Sequence, residues 1–105
     1  MCEFKVRVEE GYSEKEVAED VVYIKMEDGG LVLKDVTGML TKVDSALVSY
    51  VNVMTEELRL IKHPLIGAFL KLLSEVTSSK NPEEAQRIWE TFVEEGRKLL
   101  GVVKK

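Results

Sequence analysis

Met1-Cys2-Glu3-Phe4-Lys5-Val6-Arg7-Val8 decides how this chain begins to fold. Cys2, Phe4, Val6 and Val8 alternate with Glu3, Lys5 and Arg7. Strand side chains point to opposite faces in turn, so this spacing predicts a strand with one apolar face and one charged face. Folding is expected to start at the first residue, with no leader. The only cysteine is expected on the inward face beside Phe4.

Outward from this stretch, residues 9–19 are polar and contain Gly11 and Ser13. They read as a loop with at most one helical turn. Residues 21–26 (Val-Val-Tyr-Ile-Lys-Met) are β-branched and aromatic, hence strand. Asp28-Gly29-Gly30 suits a tight hairpin, and Leu31-Val32-Leu33 returns as the next strand. Gly38 marks a turn or bulge before a short strand over 39–43. Residues 46–54 form a longer strand, and residues 58–61 the last. Six short strands joined tightly predict a small antiparallel six-stranded β-barrel or meander, which also resolves the exposed edges of so small a sheet.

At His63-Pro64 the hydrophobic period changes from two to that of a helix. Pro64 suits the first helical position. The apolar residues from Leu65 to Val76 cover most of the helix circumference, which predicts burial on several sides. Asn81-Pro82-Glu83-Glu84 is a helix start, with a capping amide, proline at the first position and acids at the positive end of the dipole. Ala85, Ile88, Trp89, Phe92 and Val93 continue a helical stripe, and Gly101 is a stop. Gly96 lies on that stripe, where it would allow close approach. The fold class is mainly β with α: a barrel domain over residues 1–63, then a helical hairpin over 64–105.

Composition narrows the function. Of 105 residues, 45% are hydrophobic and 32% charged, the balance of a folded soluble domain. The net charge of −4 argues against nucleic acid as the main partner. Residues 1–63 carry 8 basic and 13 acidic side chains, against 7 and 6 in residues 64–105. No apolar run is long enough to span a membrane and no secretory signal is visible, so a cytoplasmic setting is expected. A single cysteine makes no internal disulfide. Fifteen glutamates and eleven lysines beside only three side-chain amides are a thermophile tendency.

Residues 1–62 resemble a known family, the small CooT-type nickel-binding accessory proteins, some of whose archaeal relatives are labelled predicted RNA-binding proteins. The resemblance is carried by Met1-Cys2-Glu3 leading into Lys5-Val6, and by Glu19-Asp20-Val21. It continues through Gly29-Gly30, Asp35-Val36-Thr37-Gly38, and the strand, turn and strand over residues 46–61. It implies a small β-barrel and a homodimer with one nickel site that uses the cysteine after the initiator methionine, here Cys2. It also implies a client metalloenzyme or its maturation proteins as partner, in carbon monoxide dehydrogenase maturation. It says nothing about residues 64–105.

The chemistry of Cys2 is compatible with that. A thiolate beside the terminal amine and the first peptide nitrogens makes the tetragonal N/S environment that Ni(II) accepts. One cysteine is a poor site alone, but a two-fold axis near Cys2 would bring its symmetry mate to the same place. The other reading of Cys2 is a small buried hydrophobe. His63, the only histidine, fits a cap or connector better than a ligand. Trp89 and Phe92 fit core or dimer interface, and Met39 and Met54 fit gap-filling. The alternatives to nickel handling are a small β-barrel RNA-binding protein and a metal-free interaction or dimerisation module. No catalytic pairing and no phosphate loop is legible, so the chain is not expected to be an enzyme.

Overall fold

The computed structural model describes residues 2–101. Six strands precede two helices: β1 (Phe4–Glu10), β2 (Ser13–Glu27), β3 (Gly30–Asp35), β4 (Leu40–Asp44), β5 (Ala46–Asn52), β6 (Glu57–Lys62), α1 (Pro64–Thr77) and α2 (Pro82–Leu100). The strands form one sheet in the order β4-β3-β2-β1-β6-β5, curled into a half-barrel. The mainly β architecture with a helical tail is as expected, but the sheet is mixed rather than antiparallel. β1 and β6 pair in parallel, Val6 opposite Leu58 and Val8 opposite Leu60. A parallel pair needs a long crossover, and here the crossover is the whole of β2 to β5.

The expected alternation in β1 holds from Phe4 onward: Val6 and Val8 are buried, while Lys5 is exposed and Arg7 and Glu9 partly so. They join Val21, Leu31, Leu33, Val43, Ala46, Leu58 and Leu60 in one core, with Phe4, Val17, Ala18 and Ile24 packed against it. At roughly 25 cal/mol per Å² of apolar surface, such side chains contribute about 1.5–3 kcal/mol each. The loop expected over residues 9–19 is mostly strand. β1 turns at Gly11-Tyr12 and returns as β2, with Glu10 opposite Ser13, Val8 opposite Lys15 and Arg7 opposite Glu16. The polar run is extended because its charges pair across the ladder, and Val17 and Ala18 reach the core.

The turns behave as their residues predict. Asp28 (φ 46) and Gly29 (φ 79) close the β2–β3 hairpin with the positive φ angles such a turn requires. Gly30 has a different reason: a Cβ there would lie 2.5 Å from the Val43 carbonyl oxygen. Gly38 (φ 92) sits in the β3–β4 turn, held by the Asp35 carboxylate, which accepts from the Thr37 and Met39 amides and the Thr37 hydroxyl. The Thr37 hydroxyl, above all, holds the Asp35 carboxyl below its ordinary range.

His63 caps α1: its Nδ1 accepts from the Leu65 amide at 3.0 Å. Asn81 caps α2 by accepting from the Glu84 amide at 2.8 Å, and Gly101 (φ 64) ends it in the left-handed region. The expectation that α1 is buried on several sides fails. Only Leu70 and Leu72 are buried on it, and Phe69 and Leu73 are 42% and 44% exposed. α1 packs along α2 and meets the sheet at β5 and the Ser45 corner, where Gly67 approaches Ser45. Too little of the sheet is offered to cover its circumference.

Candidate functional site

The start of β1 lies at the middle of the sheet, between β2 and β6, rather than at an edge. Cys2 is exposed, not inward as the alternation predicted. The physical reason is that the strand begins at Phe4, so the two-residue period does not reach back to Cys2. A thiol in solvent is free to meet a ligand or a second thiol, which a thiol sealed in the core is not. The terminal amine belongs to Met1 and lies outside the described residues.

Glu3, next in the chain, lines a groove of about 510 Å³ with Lys5, Arg7, Glu19, Asp20, Glu56 and Glu57. Five carboxylates face two cations there. The parallel β1–β6 pairing makes the groove, since it sets Lys5 beside Glu57, and the Lys5 amide donates to the Glu56 carbonyl at 2.9 Å. Asp20 (φ 57) and Glu56 (φ 55) both occupy the left-handed region, an uncommon conformation for residues with a Cβ. Single-sequence reading missed this gathering. Its only local signals are the acidic dipeptides Glu19-Asp20 and Glu56-Glu57, and nothing local shows that they meet.

Beside the groove, the outer face of the sheet is held by an ion-pair network. Arg59 on β6 donates to Glu9 on β1 and Glu57 on its own strand, both at 2.8 Å, and to Glu14 on β2. Arg7 pairs with Glu14 at 3.0 Å. Tyr50 on β5 donates to Glu57 at 3.1 Å and lies under the guanidinium, 5.6 Å from its ring centroid. The Arg59 hydrogen bond, then that of Tyr50, holds the Glu57 carboxyl below its ordinary range. Burial and the bond to Glu57 push the Tyr50 hydroxyl up. Four strands are stapled by these groups, with the buried Arg59 Nε alone left without a hydrogen-bond partner, and the pairs serve to hold the strands together.

The sheet of this half-barrel and its exposed N-terminal sulfur can be set beside known proteins. The sequence profile described as "CO dehydrogenase accessory protein CooT" matches residues 1–63. The chain belongs to the CooT family. The match covers the whole sheet and stops where α1 begins. The crystal structure of a "putative CooT from Carboxydothermus hydrogenoformans" superposes with a TM-score of 0.54 at 19% identity, over 59% of this chain and 98% of that one. At that identity the likeness carries the fold alone. The share of this chain that it covers is about the length of the stretch that the profile matches. No curated protein matches the chain.

The remaining expected site residues are dispersed. His63 is engaged as a helix cap, which bears out the connector reading over the ligand one. Met39 and Met54 are exposed and fill no gap in the core. Trp89 is half exposed, so it is not core. Among the described residues, no group of three His, Cys, Asp or Glu side chains is placed to hold a metal ion. One chain therefore offers a single thiolate donor, Cys2, next in sequence to Glu3 of the acidic groove. A full N/S set would have to draw on backbone nitrogens or on the Cys2 of a second copy. No described helix is long and apolar enough to cross a membrane.

Proposed function

We propose that this member of the CooT family is a cytoplasmic, non-catalytic accessory protein that handles nickel for a client enzyme of the carbon monoxide dehydrogenase class. It works as a homodimer, with Cys2 of each copy as a ligand to one shared ion. The observation that carries this reading is the exposure of the only thiol at the head of the central strand, in a domain the family profile spans completely. When bound, the ion supplies a cargo for transfer. Cys2 holds it through sulfur, and the acidic groove that opens from Glu3 raises the local cation concentration. That groove, and the engagement of Tyr50 with a carboxylate, speak against the RNA-binding alternative.

Titration of nickel into the protein by calorimetry tests this. The wild type is expected to bind one ion per two chains. Affinity is expected to rise with pH, because the thiol must give up its proton to bind. Cys2→Ala is expected to abolish the heat. The same signal from both proteins removes Cys2 from the site and the proposal with it.

A further inference from the structure

The hairpin carries an apolar face that the sheet leaves open. A groove of about 420 Å³ runs between β5 and the helices, lined by Leu47, Ile66, Phe69, Phe92 and Leu100. Phe69 and Phe92 stand 6.2 Å apart across the two helices, and Trp89 lies 5.7 Å from Phe92. Trp89 is 50% exposed, and Leu73 extends the face along α1. Contiguous apolar surface of this kind marks an interaction site. Helices with one uncovered stripe find cover most simply in another hairpin.

The charges along α2 say what covers it. Seven residues make close to two helical turns, so Glu83, Glu90 and Arg97 share one flank, beside Trp89 and Val93. Acids occupy the first turn of α2 and bases the last. Two copies of α2 laid antiparallel about a two-fold axis near Glu90 would set Glu83 of each opposite Arg97 of the other. A parallel arrangement would set like against like. Because a two-fold interface repeats every contact, the favourable pair occurs twice. Arg97 is only loosely engaged within its own chain, 3.4 Å from Glu94. The cost falls on Glu90, which would meet its own mate near the axis and already accepts from Gln86 at 3.2 Å.

We propose that the hairpin is a self-association surface: a second copy of this chain docks on the Phe69–Leu73–Trp89–Phe92 face, α2 antiparallel to α2, to form a four-helix assembly. This interface is separate from Cys2 and does not rest on the nickel reading.

The test uses full-length protein without added metal. Mass is followed by light scattering across a dilution series, and association by the emission of Trp89, the only tryptophan. Expected are a dimer, and a blue shift of emission as concentration rises. Leu73→Glu, at a half-exposed position that leaves the helical signal intact, is expected to give a monomer. Glu83→Lys and Arg97→Glu are each expected to weaken association about fivefold, and the double variant to restore it. Glu90→Gln is expected to tighten it. An effect on the helix dipole alone would instead make the double variant the weakest of all. A monomer at every concentration overturns the proposal. So does a double variant without rescue, or a dimer that Cys2→Ala abolishes and Leu73→Glu leaves intact.

Discussion

The sheet and the helical hairpin have similar appetites for apolar cover and satisfy them differently. The half-barrel buries nine hydrophobic side chains in one core, three of them (Val6, Ala46 and Leu60) without measurable exposure. The hairpin buries Leu70 and Leu72 on α1, and α2 buries none. The family profile ends where this contrast begins. A curled sheet covers its own concave face, whereas two helices side by side each cover only one stripe of the other. The sheet thus holds a core of its own, although Val22, Tyr23, Val48 and Val51 stay exposed on it, whereas the hairpin encloses no such core.

Truncating a leucine in each region sharpens that comparison most. Leu60→Ala opens a cavity in the β core and is expected to cost about 2–5 kcal/mol, lowering the melting temperature by roughly 10 °C or more. Leu73→Ala removes the same atoms from a half-exposed site. In dilute protein it is expected to cost less than about 1 kcal/mol. Calorimetric melts of both variants decide it. Equal shifts would mean that the hairpin is as fully packed as the barrel, and the contrast would fall.

The same contrast governs what was legible beforehand. Local signals were read correctly wherever the chain's neighbours along the sequence set the outcome. Phe4, Val6 and Val8 alternate as strand residues should, Asp28-Gly29 makes the hairpin turn, and Asn81-Pro82 and Gly101 bracket α2. What failed depended on distant partners. The strand over residues 13–20 exists because it ladders with β1 and because Arg7 and Arg59 pair with its Glu14. The parallel pairing of β1 with β6 leaves no mark on either strand alone. Of the candidate site, Cys2 was legible as a residue but not in its exposure, and the acidic groove emerges only once residues 3, 19, 20, 56 and 57 are folded together.

The outer face of the sheet supplies a pH-dependent version of the comparison. Glu57 is held below its ordinary range by Arg59, so its contribution to stability is complete above the unfolded-state value. That contribution is lost as pH falls through the lower folded-state value. Melts of the wild type are therefore expected to weaken on acidification through and below the normal carboxylate range. In Arg59→Met the Glu57 carboxyl returns toward its ordinary value, and that part of the acid slope is expected to flatten. Among the described residues the hairpin has no such network, only the exposed Arg97–Glu94 pair. Its helical signal at a given temperature is expected to change less over the same range. An unchanged slope in the variant would show that the acid sensitivity lies outside the staple.

The smallest expected effect is also the most selective, because it acts on the hairpin alone. Gly96 was expected to permit a close approach of the helices, yet a Cβ there would lie 3.7 Å from Leu65 Cδ1, an ordinary contact. Gly30 is the opposite case, with backbone in the way. Gly96→Ala therefore adds a methyl that meets Leu65 at an ordinary contact distance and removes the conformational freedom that glycine brings to the unfolded chain. The gain is expected to be about 0.5–1 kcal/mol. Trp89 sits on the same helix, so its fluorescence follows the hairpin, while far-ultraviolet dichroism follows the whole chain. If the hairpin melts as a unit of its own, the Trp89 transition precedes the β transition and moves up alone in Gly96→Ala. If the two transitions coincide and move together, the contact at β5 and Ser45 is enough to make one cooperative structure, and the hairpin is less separate than its burial implies.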